Sequence, residues 1–180
     1  FGLMRVINLA HGAFYLLAGY VSWTVADKTG NWLYGDIVGA LTLGIFGTLV
    51  YVLLLRKFQY EELRVALITL GVSLVLAQAM LAIFGGEYYQ TNIPESVSFS
   101  VPIPGLGLSY PFFRIFVLIL AILVAIGLWV FISKTRYGAI IRAGVDDTTM
   151  VSALGINVQA VFIWIFFLGS LLVGFAGAVG

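Results

Sequence analysis

The sequence predicts an all-α membrane protein, a polytopic bundle of transmembrane helices, and three observations lead to this fold class. Hydrophobic residues make up 62% of the 180 residues and charged residues only 9%, whereas a soluble domain carries about 25% charged residues. The mean hydropathy is +1.09. Apolar stretches of about 20 residues, the length that crosses a bilayer as a helix, recur along the chain. These proportions exclude a soluble enzyme domain, a basic nucleic-acid-binding domain and a disordered tail.

The apolar stretches predict about five transmembrane spans. They are continuously apolar, without the alternation of a barrel strand, and only helices or closed barrels satisfy the backbone in hydrocarbon. The predicted spans are Val6–Ala26, Ile37–Leu55, Val65–Gly86, Ile115–Ser133 and Val158–Gly180. None contains Asp, Glu, Lys or Arg. A gradient-driven carrier usually keeps such a charge near the bilayer midplane, so we expect the energy source to lie in a partner at the cytoplasmic surface.

The connections between the spans set the topology. Residues 56–64 and 134–158 each hold three Lys or Arg residues, residues 27–36 hold one, and residues 87–111 hold none. The positive-inside rule therefore places the first two connections in the cytoplasm and the other two outside. The outer 87–111 connection contains all four prolines, and the alternation in Val97–Val101 predicts a short hairpin or strand over the outer mouth.

The chain is expected to be one transmembrane domain over residues 1–180. Phe1 and Gly180 both lie within apolar sequence, so we expect a segment truncated at both ends, without a signal peptide. Cysteine is absent and there is one His, which excludes disulfides and any thiolate or multi-histidine metal site within these residues. We expect no resident cofactor.

Polar residues cluster in the first predicted span, at Asn8, His11 and Gly12. Two interpretations stay open: the cluster marks a helix break that lines a translocation pathway, or it caps and cross-links neighbouring helices. Three polar residues of the third span are expected to form helix–helix hydrogen bonds rather than to bind a ligand: Thr69, Ser73 and Gln78.

The 134–158 connection is too polar to enter lipid and too long for a turn. Asp146 and Asp147 provide N-cap oxygens, Thr148–Leu154 can form about two helical turns, and Gly155 suits the residue after a helix end. Three apolar residues share one face of this helix: Met150, Val151 and Leu154. The helix has no basic face for anionic lipid, so a docking surface for a partner protein is favoured over an interfacial membrane helix.

Two of these segments resemble motifs of a known family. Residues 4–12, Met-Arg-Val-Ile-Asn-Leu-Ala-His-Gly, resemble the Ile-Asn-Phe-Ala-His-Gly signature of branched-chain amino-acid ABC transporter permeases. Arg142-Ala143, then Asp146-Asp147, and finally residues 154–157, Leu-Gly-Ile-Asn, resemble the cytoplasmic coupling loop of that family. Two departures are that Ala13 stands where the family often has Glu, and that Asp146-Asp147 replaces the common Glu-Asp pair.

The resemblance implies a multi-pass permease subunit of the bacterial-type cytoplasmic (inner) membrane that carries branched-chain amino acids and is not itself an enzyme. It implies cytoplasmic ATPase partners, which bind the ATP, together with a second permease subunit and a periplasmic substrate-binding protein. The implied ATPase-coupling residues are Arg142, Asp146, Asp147, Met150, Val151, Leu154 and Gly155; the implied pathway residues are Asn8, His11 and Gly12. The alternatives are a urea or short-amide permease of the same family, a gradient-driven secondary carrier, and a membrane subunit with only an assembly role.

Overall fold

The computed structural model describes residues 8–59, 61–86, 89, 100–103, 108–146 and 148–180, and helices account for most of them. The α-helices of this part are α1 (His11–Thr29), α2 (Trp32–Val50), α3 (Glu62–Phe84), α4 (Phe112–Lys134), α5 (Arg136–Asp146), α6 (Thr148–Ala153) and α7 (Val158–Val179). A π-helical turn, Tyr51–Leu55, and a 3-10 turn, Arg56–Phe58, extend α2. The all-α prediction is confirmed.

The chain divides into two compact units. Residues 1–91 and 143–180 form the first unit, which contains α1, α2, α3, α6 and α7. Residues 92–142 form the second, which contains a β-hairpin, α4 and the first part of α5. The hairpin pairs β1 (Ser100–Ile103) with β2 (Leu108–Pro111) in antiparallel register. It confirms the predicted outer hairpin, although residues 97–99 of the predicted strand lie outside the described part of the chain.

Small residues bring α1, α2 and α7 together in the first unit. A Cβ atom at Gly47 of α2 would overlap the Ser170 side chain of α7, and a Cβ at Gly39 would lie 3.0 Å from the carbonyl oxygen of Ala18 on α1. Helices in lipid pack by such close approach, because burial of apolar area does not drive them together in an apolar solvent. The buried core joins five elements and consists of Ala10, Phe14, Ala18, Leu43, Val50, Tyr51, Leu55, Val65, Val151, Val158, Phe162 and Phe166.

Four helices of the described part are long and apolar enough to cross a membrane: Trp32–Phe58, α3, α4 and α7. They correspond to the last four predicted spans. The first predicted span began at Val6, but α1 begins at His11 and ends with a turn that carries Asp27 and Lys28. Helix α1 has 19 residues, so its greater polarity and not its length separates it from the other four.

The second predicted span began too late in the sequence. Helix α2 begins at Trp32, because the Asn31 side chain caps it by accepting a hydrogen bond from the Leu33 N–H (3.1 Å). The outer connection between α1 and α2 is therefore only Gly30 and Asn31, and Asp36 lies inside the helix and is buried. The prediction that the spans contain no charged residue was wrong at this position, since Asp36 had been taken as part of the connection.

Candidate functional site

The Asn8 cluster forms the start of α1. The Asn8 Oδ1 atom accepts a hydrogen bond from the Ala10 N–H (3.0 Å), and His11 Nδ1 donates to the Asn8 carbonyl oxygen (3.1 Å). Side chains of Asn commonly satisfy backbone donors in this way at helix starts. Asn8 is buried, whereas Gly12 is exposed and a Cβ atom there would meet nothing within 4 Å. Asn8 therefore forms a side-chain turn just ahead of α1, whose N-cap residue, Ala10, has no side-chain cap hydrogen bond.

Thr69 ties this helix start to α3. Its Oγ1 atom accepts a hydrogen bond from the Leu9 N–H (3.1 Å) and lies 3.0 Å from the carbonyl oxygen of Ala66, to which it donates. The residue is fully buried. This is the helix–helix hydrogen bond that the sequence predicted for Thr69. Gln78, for which the same role was predicted, is exposed.

The predicted coupling helix is present as α6, and Gly155 ends it. Gly155 has φ 78°, a left-handed conformation that only glycine adopts without strain. The Ile156 N–H donates to the Val151 carbonyl oxygen (3.4 Å) and the Gly155 N–H to that of Ser152 (3.0 Å), which is the Schellman pattern. Asn157 then caps α7 by accepting from the Ala160 N–H (3.0 Å). The order Leu-Gly-Ile-Asn at residues 154–157 therefore stops one helix and starts the next.

The three apolar residues of α6 divide into two roles. Val151 is 3% exposed and belongs to the buried core, while Met150 and Leu154 are 64% and 69% exposed. Val151 therefore anchors α6 to the first unit, and the exposed apolar surface is carried by Met150 and Leu154. The sequence had placed all three on one outward face, because a helical wheel cannot tell which edge of an apolar stripe meets the core.

The backbone of Asp146 lies in a helix that precedes α6. Asp146 is the last residue of α5, an 11-residue helix that the sequence did not predict, so Asp146 is not the residue that precedes α6. Asp147 holds that position and lies outside the described residues. Tyr137, Ile141 and Val145 recur at a spacing of four residues, and this amphipathic period is the signal in the sequence that could have predicted α5.

Arg142 is held by a backbone group. Its Nη1 atom donates a hydrogen bond to the carbonyl oxygen of Ile132 in the last turn of α4. Carbonyl groups at a helix end lack intrahelical partners and accept hydrogen bonds from nearby basic side chains. Arg142 therefore links α5 to the end of α4.

Sequence reasoning missed one buried feature at the end of α2. The Tyr51 ring stacks on Phe166 of α7, with ring centroids 4.7 Å apart, and its hydroxyl donates to Gln59 Oε1 (2.9 Å). Tyr51 begins the π-helical turn and is 1% exposed. A π turn changes the side-chain register by one residue, and no residue type in the sequence signals it.

Comparison with known proteins points to one family. The profile described as "Branched-chain amino acid transport system / permease component" matches residues 1–180. The high-affinity branched-chain amino acid transport system permease protein LivH of Escherichia coli K12 is 26% identical over 201 residues, covering 99% of this chain and 62% of the relative. BraD of Pseudomonas aeruginosa, which carries the same description, is 26% identical over 193 residues, with the same coverage. No solved structure matches.

The match covers the two segments that form the start of α1 and the α5–α6 region, so the predicted resemblance is confirmed. A probable branched-chain amino acid transport permease of Methanocaldococcus jannaschii is also 26% identical, over 185 residues. The chain spans about 62% of the length of the bacterial relatives that it matches. It is a multi-pass membrane protein and belongs to the family of permease components of branched-chain amino acid transport systems.

Proposed function

We propose that this chain is part of the membrane-spanning permease subunit of an ATP-binding cassette importer, and that it carries branched-chain amino acids across the cytoplasmic membrane. Its family and the names of its relatives support the substrate class. Its partners are a cytoplasmic ATPase pair, a second permease subunit and a periplasmic binding protein. The sequence holds no Gly-rich Lys-Ser/Thr phosphate loop, in agreement with ATP binding by a partner.

The observation that carries the proposal is the arrangement of α6. Met150 and Leu154 form an exposed apolar surface, and Val151 of the same helix is buried in the core that α1, α2 and α7 share. Exposed apolar side chains on a rigid helix are suited to a groove on a partner protein. A displacement of α6 by the ATPase would therefore be passed to the bundle through Val151, because packed cores deform little.

The test is ATP-driven uptake by the full-length complex in proteoliposomes with the loaded binding protein. Met150→Asp places a charge in the exposed apolar surface, and we expect a roughly tenfold or greater loss of uptake, the size of effect seen for interface hot spots. Ser152→Asp is the matched control: it adds the same charge to an exposed position on the opposite side of the same helix. Charge reversal at Asp146 and Asp147 is expected to abolish coupled uptake while membrane insertion persists.

Equal uptake by Met150→Asp, Ser152→Asp and the unmodified protein would contradict the role given to α6. Co-purification of the ATPase should fall with Met150→Asp alone. Uptake of urea or acetamide in place of leucine by the unmodified complex would instead identify a short-amide permease.

A gradient-driven carrier is the second candidate, and Asp36 is the observation in its favour. A buried carboxyl group within a membrane helix is a common element of proton and sodium coupling. Asp36 already accepts a hydrogen bond from Ser22 (2.8 Å) at a closely packed contact between α1 and α2, which favours a structural role. Substrate accumulation by proteoliposomes that contain the permease without the ATPase, abolished by Asp36→Asn, would establish the second candidate.

A further inference from the structure

The corner between α4 and α5, residues 134–142, carries an excess of positive charge. Three basic residues lie within it: Lys134, Arg136 and Arg142 are all exposed. Residues 96–145 contain no Asp or Glu, and the next acidic residue, Asp146, is four residues beyond Arg142 at the end of α5. Lys134 and Arg136 are therefore at least ten residues from the nearest acidic residue in the sequence, and the corner itself holds three cations and no anion.

The length of α4 sets the level of this corner in the membrane. The helix has 23 residues, which corresponds to roughly 35 Å at 1.5 Å per residue, and a bilayer core is about 30 Å thick. Lys134 in its last turn therefore reaches the headgroup layer, where a Lys side chain places its ammonium group readily. By the positive-inside rule this is the cytoplasmic leaflet.

Hydrogen bonds hold α5 close to the end of α4. The Thr135 hydroxyl donates to the Phe131 carbonyl oxygen (2.6 Å) and accepts from the Gly138 N–H (3.0 Å). One side chain therefore bonds backbone groups at both the end of α4 and the start of α5. A Cβ atom at Gly138 would overlap the carbonyl groups of Phe131 and Ile132. The Arg142 side chain donates to the carbonyl oxygen of Ile132 as well. Because these contacts reach back to residues 131 and 132, α5 stays beside the end of α4.

We propose that the α4–α5 corner is a binding surface for anionic phospholipid headgroups of the cytoplasmic leaflet. The phosphate of the lipid pairs with Lys134 and Arg136, which lie on either side of the turn. Tyr137 directly follows Arg136 and is 70% exposed, and Tyr side chains are favoured at membrane interfaces. Each basic side chain near the anionic leaflet is attracted electrostatically to the lipid headgroups, and this attraction falls off within about one Debye length.

A lipid fits this surface better than the ATPase does. The charged residues of the corner are all basic and begin directly at the end of a span, whereas the large exposed side chains beside and within α6, Met150 and Leu154, are apolar. Anionic headgroups are present at that depth whether or not the ATPase is bound. The proposal does not depend on the transported substrate or on ATP coupling.

The test measures the affinity of the detergent-solubilised full-length protein for phosphatidylglycerol, by native mass spectrometry of the lipid-bound protein. Replacing Lys134 and Arg136 by Gln should weaken binding by roughly fivefold for each cation removed. Arg142 is left in place, since it holds the corner together. The matched control replaces Lys28 and Arg114 by Gln, which removes the same charge from the outer side, including the opposite end of α4.

We expect the control to bind phosphatidylglycerol as the unmodified protein does, and the charge-preserving pair Lys134→Arg with Arg136→Lys to do the same. In nanodiscs, phosphatidylglycerol should slow amide hydrogen exchange in residues 136–146, and added salt should reverse this. Equal lipid affinity in the Gln variant and the control would overturn the proposal. Loss of ATPase binding with unchanged lipid affinity would also overturn it and would make the corner a protein contact.

Discussion

Thr69 is the residue at which one hydroxyl group joins α1 to α3. It accepts a hydrogen bond from the Leu9 N–H and donates one to the Ala66 carbonyl oxygen, and it is fully buried. No water replaces a lost partner at such a position, and an unpaired N–H then costs its full desolvation free energy. The start of α1 therefore depends on a side chain of another helix.

Thr69→Val keeps the shape of the side chain and removes the hydroxyl. We expect it to lower the free energy of unfolding by about 1 kcal/mol, because the Leu9 N–H, in a part-buried hydrogen bond, loses its acceptor. Thermal unfolding of the purified protein in detergent measures the change. Thr48→Val is the control: the Thr48 hydroxyl donates only within its own helix, to the Gly44 carbonyl oxygen (2.7 Å), and its loss should have little effect. Equal losses of unfolding free energy in the two variants would show that the hydrogen bond between α1 and α3 contributes no more to stability than one within a single helix.

The Ser22–Asp36 hydrogen bond allows a second test at this scale. Both residues are buried, and the Ser22 hydroxyl lies 2.8 Å from Asp36 Oδ1. Ser22→Ala leaves the carboxyl group without a donor, and we expect a loss of about 1–3 kcal/mol in unfolding free energy. Asp36→Asn keeps an oxygen acceptor for Ser22 and should be the milder change. The prediction is wrong if Asp36→Asn destabilises the protein more than Ser22→Ala does in the same unfolding assay.

The residue types in the sequence predicted which side chains form hydrogen bonds better than they predicted the groups to which those side chains bond. The sequence predicted a helix–helix hydrogen bond for Thr69, and it left Asn8 and His11 open between a helix break that lines a pathway and a cap or cross-link. It did not indicate the partner of Arg142, which is a helix-end carbonyl group in the structure. Backbone acceptors at helix ends depend on where a helix stops, and a one-residue difference in that boundary changes the partner.

At the scale of elements, α2 is the helix around which the first unit packs. Its small residues face α1 on one side and α7 on the other, and the contact between Gly47 and Ser170 leaves no room for a methyl group. The uncharged stretches of sequence predicted α2, α3, α4 and α7 well, since length and hydropathy are local properties. Helix α5 was missed although it is amphipathic at a helical period, because the prediction of helices there relied on uncharged stretches long enough to cross a bilayer.

Gly47→Ala tests the close approach of α2 and α7. A Cβ atom at Gly47 would overlap Ser170, so we expect the helices to separate and the unfolding free energy to fall by about 1–3 kcal/mol, as in other overpacked cores. Gly71→Ala in α3 is the control, because a Cβ there meets nothing within 4 Å. Alanine is the better helix former by about 1 kcal/mol, so the control should be neutral or stabilising. Unfolding in detergent that ranks Gly71→Ala as the more harmful change would contradict this packing.

At the scale of the whole molecule, the apolar core reaches beyond the membrane helices to α6. Val151 shares that core with Phe14 of α1, Tyr51 beside α2 and Phe166 of α7. The exposed residues Met150 and Leu154 are therefore mounted on an element that is packed into the bundle. Sequence periodicity predicted the helix, but it could not assign Val151 to the core, because that contact joins segments far apart in the chain.

Truncation to alanine should separate the two roles of α6. Val151→Ala removes buried carbon atoms, and we expect a loss of about 1–2 kcal/mol in unfolding free energy together with reduced uptake. Met150→Ala removes exposed atoms and should leave stability within about 0.5 kcal/mol, while ATP-driven uptake falls. Thermal unfolding and uptake are measured on the same preparations. A stable Val151→Ala variant with full uptake would rule out mechanical coupling through the core.

The position of α7 in the sequence has a consequence for biogenesis. The glycine-lined seam on α2 is filled by Ser170 of α7, which the ribosome makes long after α2 has entered the bilayer. A nascent chain stalled before residue 158 therefore lacks the side chain that fills this seam, and the close contact between α2 and α7 forms only after α7 has been synthesised.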